Sequence, residues 1–216
     1  MPGSSIFAHA MDNLISFDWL YLIGTVSFSI SGYLIGAHKQ FDILGITILA
    51  LLTAIGGGLL RDALIGRMPL VFINAGPVMA CFATLSVAWL IKLHRHSQLF
   101  LRRAFIIADS IGLVAFSIAG AQVGIGLELN LFGVAFLGFI TAVGGGLVRD
   151  MMVNEVPFIL HRDFYGTVSI LVAVMLYGAA HLGAADRVTH WALFLFGLAL
   201  RLIAHSRDMS LPRADK

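Results

Sequence analysis

Two charged pairs stand inside stretches that are otherwise apolar: Arg61 beside Asp62, and Arg149 beside Asp150. An ionised side chain at the centre of a membrane-spanning helix costs about 2.5 to 3.5 kcal/mol on insertion scales, so such residues face protein or water. Two kinds of chemistry fit. The pairs pin neighbouring helices as structural ion pairs, or they line and gate a path for a small solute, and the two roles are compatible. Bare arginine repels cations, so a cation path past these residues requires the aspartates, or backbone carbonyls, to neutralise the guanidinium charge locally.

Each pair follows a glycine triplet: Gly56, Gly57 and Gly58 in TAIGGGLLRD, and Gly144, Gly145 and Gly146 in TAVGGGLVRD. Three adjacent glycines cost about 3 kcal/mol of helix propensity relative to alanine, which something must offset. One reading is that the helix kinks or unwinds there, turning freed carbonyls toward a cavity that a cation or small zwitterion enters. The other is close packing of two helices through small residues. Recurrence of the triplet at a matched place favours the first. From the helical rise, Arg61 and Arg149 fall roughly 9 Å to opposite sides of the midplane, bracketing a constriction.

Ser29 and Ser117 occupy matched positions in two further apolar stretches, with Ser27, Ser31, Ser110 and Asp109 nearby. These groups are candidates to replace hydration around a passing solute, or they bond within their own helices. Asp109 has Tyr21 at its matched place, and solvation at a helix end is its plainer explanation. The GxxxG spacings Gly32 to Gly36 and Gly120 to Gly124 read as helix-packing faces. The single cysteine, Cys81, reads as a small buried hydrophobe. The eight histidines show no paired-ligand spacing, so no metal is expected. With no GxxxxGK[ST] loop, GxSxG elbow or GxGxxG fingerprint, neither an ATP-driven pump nor an enzyme is expected, and no cofactor.

The elements that position these residues are long apolar helices. Of 216 residues 59% are hydrophobic and only 12% charged, half the charge of a soluble domain, so the lipid bilayer is the solvent. Apolar runs predict seven transmembrane helices at 17–37, 43–66, 74–93, 103–126, 131–154, 164–184 and 188–204, within a single transmembrane domain over 1–216. Residues 1–16 lack a basic start and a cleavage pattern, so no removable signal is expected. A net charge of +2 without exposed aromatics among the basic residues argues against nucleic acid as a partner.

Residues 24–70 align without a gap on 112–158, with 18 of 47 positions identical. The chain therefore reads as two three-helix repeats, 17–93 and 103–184, followed by a seventh helix at 188–204. An odd number of spans per copy makes the repeats inverted in the membrane. Loop charges agree: Lys39, Lys92, Arg95, Arg102, Arg103, Arg162, Arg201, Arg207, Arg213 and Lys216 fall on one side, and only Arg67 and Arg187 on the other. By the positive-inside rule the N-terminus is outside and the C-terminus cytoplasmic.

The doubled GGGLLRD and GGGLVRD, each with its downstream proline (Pro69 and Pro157), on a seven-helix frame resemble the prokaryotic trimeric intracellular cation (TRIC) channel family. Some bacterial members of that family are classed as glycine transporters. The resemblance implies a homotrimer in the bacterial inner membrane with one hydrophilic pore per protomer, passing monovalent cations such as potassium or sodium. It also implies second and fifth helices kinked at Gly56 to Gly58 and Gly144 to Gly146, with the adjacent charged pairs Arg61, Asp62, Arg149 and Asp150. The fourth span has no internal lysine, unlike animal members, so lipid regulation does not carry over. The expected function is passive monovalent-cation conduction; a secondary carrier for glycine or a similar small amino acid is the alternative.

Overall fold

In the computed structural model, which describes residues 19–161 and 164–207, all regular structure among those residues is helical. The helices are α1 (Trp19–His38), α2 (Ile43–Leu64), α3 (Leu70–Ile73), α4 (Gly76–Leu90), α5 (Gln98–Gly126), α6 (Leu131–Met152), α7 (Phe158–His161), α8 (Tyr165–His181) and α9 (Arg187–Ser206). Residues 1–16, the first two residues of the first predicted span, and the counted charges Arg162, Arg213 and Lys216 lie outside the described residues.

Polar residues set where the long helices begin. The Asp42 carboxylate accepts the Gly45 amide at 2.7 Å, and at the matched place Asn130 accepts the Gly133 amide at 2.9 Å, so each satisfies an amide that the first turn leaves unpaired. The turns repeat as well. Gln40 and Glu128, at matched positions, both take the left-handed conformation. Gly66 does so after α2, and its counterpart Asn154, tolerant of that region, does so after α6. Helix α5 starts five residues before its predicted span because the Ser97 hydroxyl caps it by accepting the Phe100 amide. Arg102 and Arg103 mark the end of the apolar stretch without ending the helix.

Five helices, α1, α2, α5, α6 and α9, are long and apolar enough to cross a membrane. Helices α4 and α8 are shorter, at 15 and 17 residues, and each follows a four-residue helix that begins after Pro69 or Pro157. Each of these four-residue helices lies just before a predicted span, the third or the sixth. A break between helices stands one element after each glycine triplet, where proline removes a backbone donor and resets the chain.

Helices α1, α2, α5 and α6 form the centre, with α4 against α1 and α2, α8 against α5 and α6, and α9 against α8 and α5. The contact between halves is reciprocal. Gly24 leaves room for the Phe116 ring and Gly112, its match, leaves room for Phe28, and the two rings meet edge to face with centroids 5.3 Å apart. Within each half the GxxxG residues do what their spacing predicts: Gly32 and Gly36 face Ala50 and Ile46 of α2, while Gly120 and Gly124 face Leu137 and Val134 of α6.

Candidate functional site

Helices α2 and α6 cross at their glycine triplets. A Cβ at Gly57 would fall on the Thr141 carbonyl oxygen, and one at Gly145 on the Thr53 carbonyl oxygen, again a matched pair. Backbone meets backbone there. Helical structure runs unbroken through Ile43–Leu64 and Leu131–Met152, so of the kinking or unwinding expected from sequence, unwinding is not what these residues do. Close approach of two helices offsets their poor helix propensity. The third glycines differ from the middle ones. A Cβ at Gly58 would sit 3.2 Å from Tyr21 Oη and 3.8 Å from Arg61 Nη2; at Gly146 it would sit 3.3 Å from Tyr165 Oη and 3.6 Å from Arg149 Nη2. Each arginine end and a tyrosine hydroxyl therefore flank a stretch of bare backbone.

Arg149 is completely buried. Its Nε donates to Asp150 Oδ1 at 2.8 Å, its Nη1 donates to Asp109 Oδ1 at 2.6 Å and to Ser31 Oγ, and its guanidinium lies 4.9 Å from the Phe105 ring centroid. The Ser31 hydroxyl in turn donates to Asp109 at 3.4 Å. Asp150 Oδ2 accepts the Phe158 amide at 2.8 Å, so the carboxylate fastens the start of α7 to the end of α6. Nη2 and the nearby Tyr165 Oη have no hydrogen-bond partner within bonding distance among the described residues. Two carboxylates thus surround one guanidinium.

Arg61 has the same first bond, Nε to Asp62 Oδ1 at 2.8 Å, and Asp62 Oδ2 accepts the Leu70 amide at 3.0 Å, as Asp150 does for Phe158. From there the two sites diverge. Asp62 Oδ1 also takes Arg67 Nη2 at 2.8 Å, giving two cations to one carboxylate and a net charge of +1. Nε makes the one hydrogen bond of the Arg61 side chain among the described residues. The counterpart of Arg67 is Glu155, which pairs instead with Lys39 at 2.6 Å across the end of the bundle.

The structure brings Asp109, Arg149 and Asp150 together and sets Arg61 with Asp62 in a second cluster that, among the described residues, shares no ion-pair partner with the first. Asp109 is a buried ion-pair partner, which its position near a helix end did not suggest. Ser29 and Ser117 donate to Thr25 and Leu113 of their own helices, both at 2.7 Å, the plainer of their two readings. Arg201, counted from sequence among the loop charges, is a buried residue of α9 with its guanidinium 4.9 Å from the Tyr165 ring centroid. Ser31, one of the hydroxyls grouped near Ser29, belongs to the site, as do Tyr21, Tyr165 and Arg67, which carry little sequence signal of their own. The clue to three of them is a break in the repeat: Ser31 faces Ala119 in the alignment, Tyr21 faces Asp109, and Arg67 faces Glu155. Among the described residues no group of three His, Cys, Asp or Glu side chains is placed to hold a metal ion.

Comparison with known proteins agrees with this architecture. The family model for glycine transporters matches the chain over residues 18–94 and 106–181. A UPF0126 membrane protein of Deinococcus radiodurans is 38% identical over 147 residues, which are 67% of this chain and 66% of the relative. A solved structure bearing on conductance through TRIC cation channels has a TM-score of 0.80 at 35% identity, covering 94% of this chain and 98% of that one. The TRIC trimeric intracellular cation channel orthologue from Rhodobacter sphaeroides also has a TM-score of 0.80, at 27% identity, covering 88% of this chain and 97% of its own. With the family model matched on both halves and the fold shared with TRIC channels along nearly its whole length, the chain belongs to the TRIC-type glycine transporter family of membrane proteins.

Proposed function

We propose that this protein is a passive monovalent-cation channel, conducting potassium, with sodium as the second candidate, through one pore in each protomer of a homotrimer. The observation that carries the reading is the fold held in common with TRIC cation channels at 35% identity over 94% of the chain. The site's electrostatics are compatible with it. Neither arginine is bare, since each donates to the aspartate that follows it. That is the condition a cation path past buried guanidinium groups must meet. The path runs beside Gly58 and Gly146, where arginine and tyrosine ends flank bare backbone, rather than through the packed crossing at Gly57 and Gly145.

In this reading the chain spans the inner membrane seven times as two inverted repeats, 17–93 and 103–184, plus a seventh helix, with the N-terminus outside and the C-terminus cytoplasmic. The Lys39 to Glu155 bridge supports the inversion. It puts the end of α1 beside the end of α6, the second helix of the other copy, as two units of opposite orientation require.

The family's association with glycine favours a second reading, a carrier in which the carboxylate and ammonium of a small amino acid meet the arginines and aspartates. A planar bilayer holding the purified protein under a potassium chloride gradient separates the two. A reversal potential near the potassium value, indifferent to glycine, is the expected result. Absence of unitary current together with saturable labelled-glycine uptake into liposomes would overturn the channel in favour of the carrier.

A further inference from the structure

We propose that Arg61 is the moving part of this pathway, and that the side chain at position 21 of α1 decides whether it moves. The inference rests on the transport reading above and concerns which of two matched arginines reorganises while a solute passes.

Both arginines start from the same anchor, a bond from Nε to the following aspartate at 2.8 Å. Arg149 is held a second time, by Asp109 and Ser31 on Nη1, and a third time by the Phe105 face. Moving it breaks three charge-assisted bonds and leaves two carboxylates buried without a cation. The Arg61 side chain has no hydrogen bond beyond Nε among the described residues, and the carboxylate that holds it keeps Arg67 as a partner when Arg61 leaves. A guanidinium tied at Nε alone pivots about that bond, and its Nη atoms sweep past Gly58, where no Cβ stands in the way. The Tyr21 hydroxyl borders the same open position, 3.2 Å from where a Gly58 Cβ would stand, and offers Nη2 a neutral acceptor as a second resting place.

The repeat makes the cause specific. Position 21 aligns with position 109, tyrosine in one copy and aspartate in the other. The hydroxyl beside Gly146 comes instead from Tyr165 of α8, whose aligned position is Pro77. One half therefore carries a carboxylate clamp and a tyrosine, while the other carries a tyrosine alone. The unclamped arginine also sits in the cluster with an excess positive charge, so its position controls the barrier a cation meets. Tyr21 is a positioning residue in this scheme, acting through Arg61.

The test copies one half onto the other in the full-length protein. Tyr21→Asp gives Arg61 the clamp that Asp109 gives Arg149; Tyr21→Phe removes the resting place without burying a charge. Two readouts are taken for each variant: the unfolding midpoint in detergent, and flux at fixed voltage resolved into open probability and unitary conductance. Tyr21→Asp is expected to raise the midpoint and to lower open probability by about tenfold or more, the weight of one charge-assisted hydrogen bond, with unitary conductance kept. Tyr21→Phe is expected to lower open probability with little change of midpoint. Open probability within about twofold of the parent in folded Tyr21→Phe overturns the proposal, whether or not Tyr21→Asp folds. If the parent carries no potassium current, the channel reading fails by itself. The same variants are then read on labelled-glycine uptake, where an unchanged rate overturns the mobile arginine and a lowered one supports it.

Discussion

Around Arg149, two aspartates, a serine and a phenylalanine ring drawn from α1, α5 and α6 converge on one guanidinium. Around Arg61, a single aspartate is shared between two arginines, both from α2 and the turn that follows it. The two regions descend from one motif and keep the same backbone device, an aspartate that accepts the first amide of the short helix after the proline. What changed between the copies is the set of partners that lock the arginine. The scaffold is alike in the two copies and the polar decoration differs, so among the described residues one arginine is held at both Nε and Nη1 and the other at Nε alone.

The sharpest way to break that comparison is to delete each arginine in turn. Arg149→Ala leaves Asp109 and Asp150 buried without a cation, a loss of about 3 to 5 kcal/mol. Arg61→Ala leaves Asp62 with Arg67 and the Leu70 amide, so the expected loss is smaller, about 1 to 3 kcal/mol. Thermal unfolding of the two variants in the same detergent ranks them, and equal losses would refute the distinction between clamped and mobile arginine.

The helix crossing supplies the control in which both halves should respond alike. Gly57→Ala and Gly145→Ala each drive a methyl group into a carbonyl of the facing helix, Thr141 in one case and Thr53 in the other. Backbone cannot yield as a flexible side chain does, so each is expected to cost about 1 to 3 kcal/mol, seen as a fall in the recovery of monodisperse protein. The two variants should match within the scatter of the measurement. A difference as large as that between the arginine variants would place the asymmetry in the scaffold rather than in the polar partners.

Much of the scaffold was legible because helix length, turn position and packing glycines are written locally and written twice. Asp42 and Asn130, Gly66 and Asn154, and Gly24 and Gly112 are matched pairs whose structural work is also matched. The unwinding read from the triplets does not occur because propensity counts only what a helix loses in isolation, and the contact between α2 and α6 that compensates joins residues 84 to 92 positions apart. The site itself was half visible. Identical positions located Arg61, Asp62, Arg149 and Asp150, but the alignment rewards sameness, and the residues that make the two sites behave differently are those at which the copies disagree. Tyr165 was beyond reach by that route, since its work matches that of Tyr21 while its alignment does not.

The smallest expected effect lies at the two ends, where the copies disagree in sign: Arg67 in one turn, Glu155 in the other. Arg67 is one-quarter exposed and bound to buried Asp62, whereas the Glu155 to Lys39 pair is largely in solvent, at 51% and 32% exposure. An exposed pair contributes about 0 to 1 kcal/mol, so Glu155→Gln should leave the unfolding midpoint nearly where it was. Its consequence is instead on local ion concentration. In the orientation proposed above, Glu155 would stand at the cytoplasmic mouth and attract cations there, while Arg67 would stand at the outer mouth and repel them. Neutralising Glu155 should reduce current leaving the cytoplasm, and Arg67→Gln should raise current entering it, so both variants bend the current–voltage relation the same way. The change should reach about twofold at low salt and fade as the Debye length falls below the radius of the mouth. Opposite bending in the two variants, or bending that persists in high salt, would show that these turns act on the pathway through the helices they close and not through their charge.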